Sequence, residues 1–271
     1  MFSLILFSVS ILAGFYGAIL GLGGGTIVVP FLTLVLGVDI RYAIAASLIS
    51  IVATSSGAAA SFLRDHLTNL RVAVFLEIGT VLGAMSGFFI TSKIETRWLY
   101  LIFGVFLVFS GIMMLLKKKD SFTDVDHPLS KKLNLAGNYK NEKGEIIEYK
   151  IANPQFGLIT MYFAGIMSAL LGIGSGIFKV LAMDNGMKMP LKVSSATSNF
   201  MIGVTAAGSA GAFLLQGDIR PDIAGPVAVG IIIGAYVGGK TMPKMKVATI
   251  RKVFVVAMAI LAFQMLRKAF A

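Results

Sequence analysis

Cysteine is absent from this 271-residue chain, and only 14% of its residues are charged. Without cysteine there is no disulfide framework and no thiolate metal site. A soluble domain carries about 25% charged residues, so this inventory does not furnish a water-exposed surface. Histidine is nearly absent too. His66 and His127 are the two present, and both fall at or beyond the ends of apolar runs. No His-Glu-x-x-His pair occurs, and no Gly-Lys-Ser/Thr follows the glycine-rich stretches. These gaps argue against an intramembrane metalloenzyme and against ATP-driven transport by this chain alone. The opening "MFSLILF" has no basic residue, so it does not read as a cleaved signal peptide.

What the chain has is apolar length. Hydrophobic residues make up 56% of it, and the mean hydropathy is +0.85. Apolar runs cover about 2–37, 42–63, 72–91, 98–116, 155–183, 193–215, 221–239 and 253–266. A helix needs roughly 20 apolar residues to cross hydrocarbon, and these runs do not alternate as the strands of a membrane barrel do. The expectation is an all-α polytopic membrane protein. The net charge of +11 collects between the runs, as in cytoplasmic loops of membrane proteins. Lipid rather than nucleic acid is the expected surroundings.

The chain also repeats itself. A shift of 151 positions sets Gly14, Gly21, Gly23 and Gly25 on Gly165, Gly172, Gly174 and Gly176. It sets Ser47, Thr54, Gly57 and Phe62 on Ser198, Thr205, Gly208 and Phe213. The ladder Gly79-Gly83-Gly87 falls on Gly230-Gly234-Gly238. Two homologous halves, 1–116 and 153–271, are the expected domains. Between them, 117–152 is a polar linker, with "YKNEKGEIIEYKI" reading as a short hairpin turning at Lys143-Gly144. It serves either as a plain connector or as a regulatory or partner-binding segment.

Charge bears on orientation. Leaving out Lys179, four simple spans per half would divide the basic residues 13 to 10, which is no bias. If the first apolar region of each half instead starts and ends on one side, the division is 17 to 6. That favours inverted repeats, each with a glycine-broken first region plus three transmembrane helices. The linker then faces the cytoplasm and both termini face outside. Broken backbone at membrane depth is tolerated only inside protein or along a wet cavity, so the glycines at 21 and 23–25 mark an expected transport site.

The paired motifs "GLGGGTIVVPFL" and "GIGSGIFKVL", each followed by a serine-bearing segment ("AASLIS", "SATSNF"), resemble the sulfite exporter TauE/SafE family, also called the four-toluene sulfonate uptake permeases. The resemblance covers both halves. It implies secondary transport, chiefly export, of small sulfur-containing anions: sulfite, thiosulfate, or organosulfonates such as sulfoacetate. The second copy departs from the first, with Ser175 opposite Gly24, Leu181 opposite Pro30 and Lys179 opposite Val28.

An oxyanion needs oriented N–H groups, hydroxyls and a positive charge. The chain breaks Gly23, Gly24, Gly25, Thr26 and Gly174, Ser175, Gly176 offer free N–H groups at helix starts; close helix packing is the rival reading. Lys179 lies inside an apolar run, where a charge costs at least ~2.5–3.5 kcal/mol. It therefore serves a ligand, snorkels, or pairs with an acid such as Asp184. Ser47, Ser198 and Asn199 either hold the anion or bond helix to helix. Thr54 and Thr205 read as helix contacts. Glu77, opposite Ala228, is the acid well inside a run. A raised pKa would suit it to proton coupling; the rival is a structural partner for Arg71 or Lys179. The glycine ladders read as packing faces, Met113, Met114, Met183 and Met201 as lipid or core contacts, and Trp98 as an interface anchor. No catalytic residue, metal or cofactor is expected. The expected location is the cell membrane, the inner one in a Gram-negative cell, and a homodimer is a further expectation. An anion channel and, less favoured, an intramembrane enzyme are the alternatives.

Overall fold

A computed structural model describes residues 2–21, 23–38, 40–91, 127–140, 144–171, 175–215 and 219–270, with Gly217 and nine scattered positions between 97 and 115. Gly172, Gly174, Lys143, Met113, Met114 and the side chain of Thr26 lie outside the described residues. The chain is helical, as its apolar runs predict. In the first half α1 spans Phe2–Leu20, α2 spans Gly25–Pro30 and runs into a π-helical turn at Phe31–Val35, α3 spans Ile40–Arg64 and α4 spans Leu70–Thr91. The polar stretch holds α5 (Pro128–Lys132) and two strands, β1 (Gly137–Lys140) and β2 (Ile146–Tyr149), paired antiparallel with Tyr139 opposite Ile147. Then come α6 (Pro154–Leu171), α7 (Gly176–Leu181) with a second π turn at Ala182–Gly186, α8 (Leu191–Leu215), α9 (Pro221–Thr241) and α10 (Val247–Phe270).

The 151-residue spacing recurs in the backbone. The pairs α2/α7 and α3/α8, and both π turns, have bounds that differ by that number at each end. The details recur as well. Val38 N–H bonds Leu32 C=O, and Met189 N–H bonds Met183 C=O, both at 2.9 Å. His66 and Gly217, at matched positions, both have positive φ, 53° and 77°. Each donates its N–H three residues back, to Leu63 and Leu214. Where only Gly217 has free access to that conformation, His66 adopts it at some cost.

Among the described residues, four helical segments are long and apolar enough to cross a membrane: Ala45–Arg64, Leu70–Gly87, Pro221–Lys244 and Ala248–Phe270. Their outer faces carry Val74, Ile78, Val229, Ile233 and Phe263, all exposed, a surface suited to lipid.

The glycine ladders explain how the halves join. A Cβ on Gly230 would lie 2.6 Å from Phe7 C=O, one on Gly234 would strike Ile11 C=O, and one on Gly238 would lie 2.5 Å from Phe15 C=O. So α9 lies flush against α1, and the two run in the same direction. Gly79 and Gly83 meet Leu158 and Tyr162 in the same order, so α4 and α6 form the matching parallel pair. Each half thus lends its first helix to the other half's ladder, as small-residue faces allow. Between these pairs α3 packs on α8.

Candidate functional site

The first chain break sits at the interface of the halves. α1 ends at Leu20, and Gly21 and Gly23 take φ values of 69° and 72°, open to glycine at little cost. α2 restarts at Gly25, whose missing Cβ leaves room for the Ser47 hydroxyl. The second break lies between Leu171 and Gly176, and Ser175 is the residue before α7.

The polar residues around these breaks are buried. Ser198 Oγ donates to Gly21 C=O at 2.7 Å and approaches Gly176 C=O at 3.3 Å, so one hydroxyl touches both breaks. Asn199 Nδ2 donates to Ala18 C=O at 2.7 Å and to Ser195 C=O at 3.1 Å. Part of the predicted constellation therefore holds the broken backbone. Gly24 N–H is likewise taken, donating to Thr54 Oγ1 at 2.9 Å. Thr54 thus serves the break itself rather than a helix contact. Other groups are left open. Among the described residues, Ser47 Oγ, Ser175 Oγ, Ser195 Oγ and Asn199 Oδ1 are buried with no hydrogen-bond partner, an arrangement that costs about 1–3 kcal/mol per group.

Lys179 is 0% exposed, one helical turn after Ser175, whose C=O accepts its N–H. Ser175, four positions earlier, is the residue before the helix that carries Lys179. Lys179 Nζ lies 3.2 Å from Glu77 Oε2 and 3.0 Å from Thr205 Oγ1. Thr205 Oγ1 in turn bonds Glu77 Oε1. The cluster joins α4 of the first half to α7 and α8 of the second. The sequence offered Asp184 or Glu77 as partners for Lys179; the acid 102 residues away in the chain is the one it meets. Arg71, the other cation considered for Glu77, bonds Asn134 C=O instead. Glu77 is also the one polar residue lining an apolar cavity of about 530 Å³ between α4 and α8.

Sequence reasoning missed Asn69. Its N–H donates to Thr197 Oγ1 at 3.0 Å, and its Nδ2 to Leu135 C=O at 2.8 Å and Tyr149 Oη at 2.9 Å. One side chain ties the α3–α4 turn, the linker and the second half together. A lone asparagine in a short loop carries no periodic or motif signal that would reveal this.

Apolar helices of spanning length, a chain break at Gly21 and Gly23, and a polar cluster around the buried Lys179 define an all-α membrane protein of the transporter class. The chain belongs to the sulfite exporter TauE/SafE family, whose model matches residues 6–265. It is 26% identical to the probable membrane transporter protein YunE of Bacillus subtilis over 87% of this chain and 85% of that one. It is 27% identical to a probable membrane transporter protein of Haemophilus influenzae over 87% and 83%. It is also 27% identical to the probable membrane transporter protein MJ0441 of Methanocaldococcus jannaschii over 75% and 69%. No solved structure matches.

Proposed function

We propose that this protein is a multi-pass secondary transporter of the cell membrane, not an enzyme, that exports small sulfur-containing anions such as sulfite, thiosulfate or organosulfonates. It works by alternating access between two inverted halves and is coupled to an ion gradient. The observation that carries this reading is Lys179, fully buried one helical turn after Ser175 and joined at its ammonium to Glu77 and Thr205. A buried ammonium held by one carboxylate and one hydroxyl is chemistry that can turn to a compact oxyanion. The relatives' names support transport, and the family's description supports a sulfur oxyanion.

Inversion has support from the helix pairing. α1 runs parallel to α9, and α4 runs parallel to α6. α3 also runs parallel to α9, with Gly57 meeting Ile232 and Gly239 meeting Ala58 and Ser61, and only residues 65–69 separate α3 from α4. Because α1 and α3 both run parallel to α9, they share one direction. Their mates α6 and α8 take the opposite one.

The test is thermal stabilisation of purified protein by a panel of sulfite, thiosulfate, sulfoacetate, methanesulfonate, taurine and sulfate. At least one sulfur oxyanion is expected to raise the melting temperature, and Lys179→Met, similar in length but uncharged, should abolish the rise. A panel with no effect, or one equally effective on Lys179→Met, would remove this reading.

A further inference from the structure

The internal repeat provides its own control for the buried ion pair. The positions matching Lys179 and Glu77 are Val28 and Ala228. These two residues lie in one apolar cluster with Val29 and Ile231. The same local architecture is therefore built once with two charges and once with none. Burying an ion pair gains little over well-packed apolar residues of similar volume, so the fold does not call for the charges. Thr205 tells the same story. Its mate Thr54 spends its hydroxyl on Gly24 N–H and Ser50 C=O, whereas Thr205 bridges Lys179 and Glu77.

We infer that Glu77, Thr205 and Lys179 form a charge-balanced switch that makes this carrier an electroneutral symporter of one proton with one monovalent anion. This rests on the anion-carrier reading above and names the sign and valence of its coupling. With Glu77 ionised, the ammonium is neutralised from within and has no call on an external anion. A proton taken up by the Glu77 carboxylate removes that neutralisation and leaves one uncompensated positive charge in a low-dielectric interior. Such a charge is costly unless an anion arrives with the proton. Thr205 has the geometry to follow the change. Its single hydroxyl proton faces two acceptors, Glu77 Oε1 and Met201 C=O, the latter at 3.0 Å.

Two net-neutral states result: empty with the ion pair closed, and loaded with proton and monoanion. A dianion would leave the loaded state charged. The other charged or titratable groups described near the pair have partners of their own. On the elements packed around the pair, α6 carries Tyr162, bonded to Ser86, and α8 carries Lys192, bonded to Pro243 C=O. α4 carries Arg71, bonded to Asn134 C=O. The π turn after α7 carries Asp184, buried and engaged elsewhere in the structure. Export then runs when the outward anion gradient exceeds the inward proton gradient, and an acidic exterior reverses it.

The experiment measures binding of methanesulfonate and isethionate, both monovalent, and of thiosulfate and sulfoacetate, both divalent, to purified full-length protein in weakly buffered solution with a pH indicator. Wild-type protein is expected to take up one proton per monovalent anion bound, with affinity falling as pH rises. Glu77→Gln should bind without proton uptake and without that pH dependence. Divalent anions bound more tightly than monovalent ones, or binding without proton uptake by wild type, would overturn the inference while leaving an anion carrier. Failure of every anion to bind would instead overturn the carrier reading itself and the inference with it. Should Glu77→Gln fail to fold, the double variant Glu77→Ala, Lys179→Val copies the first half's apolar solution. It is expected to fold and bind none of the four anions. Its retaining proton-linked binding, or failing to fold, would also overturn the inference.

Discussion

Thr205 shows how much rests on one hydroxyl. Its Oγ1 accepts from Lys179 and bonds Glu77, so valine, of the same shape, would strip a partner from two buried charges at once. The expected cost of Thr205→Val is about 1–3 kcal/mol, read as a lower thermal midpoint of the purified protein, with Thr205→Ser recovering most of it. Tyr149 is a second residue whose chemistry is set by its place. Burial pushes its phenol up to about 12 from 10.0, against the opposing pull of the Asn69 hydrogen bond. The docked state therefore holds the proton more tightly than the free chain. Its contribution is complete below pH 10 and is lost as pH rises through about 12. Hydrogen exchange across residues 137–149 should accelerate over that window in wild type. Tyr149→Phe, lacking the phenol, should show no such step.

At the scale of elements, the two glycine ladders make a matched prediction. Gly83 and Gly234 are repeat mates, and a Cβ on either would strike a backbone carbonyl, Tyr162 C=O and Ile11 C=O respectively. Backbone cannot step aside as a side-chain tip can, so each alanine should cost about 1–3 kcal/mol. Gly111→Ala, with open space at its Cβ, should cost nothing and gain up to about 1 kcal/mol of helix propensity. Denaturation of the three purified variants in detergent separates them. The ladders were legible in the sequence because close packing leaves a period of four in one residue type. The breaks were legible for a similar reason: glycines at 21 and 23 have no use inside a straight spanning helix. Asn69 was not legible, because what it does depends on partners 66, 80 and 128 positions away. The choice of Glu77 over Asp184 for Lys179 was hidden for the same reason. Periodicity places a residue on a face, but the opposing face comes from the way α4 of one half meets α7 of the other.

At the scale of the whole molecule, inversion of the halves is the property on which alternating access depends, and it has a clean test. The turns after α3 and after α8 share one feature: His66 and Gly217 occupy matched positions, both with positive φ and the same three-residue hydrogen bond. Parallel repeats would put these two turns on one side of the membrane. Inverted repeats put them on opposite sides, with the turn at His66 beside the basic linker. The chain has no cysteine, so single cysteines can be introduced without background. We expect Asn138→Cys, on an exposed strand position, and His66→Cys to resist an impermeant thiol reagent on intact cells and to react after permeabilisation. Gly217→Cys and Phe270→Cys, the latter 72% exposed, should react on intact cells. Asn138 reacting from outside would reverse the orientation while leaving inversion intact. His66 and Gly217 reacting from the same side would defeat inversion itself. Lys179, reached through a broken helix in only one half, would then have no symmetry-related route to the second side of the membrane, and the rocking of one half against the other would lose its basis.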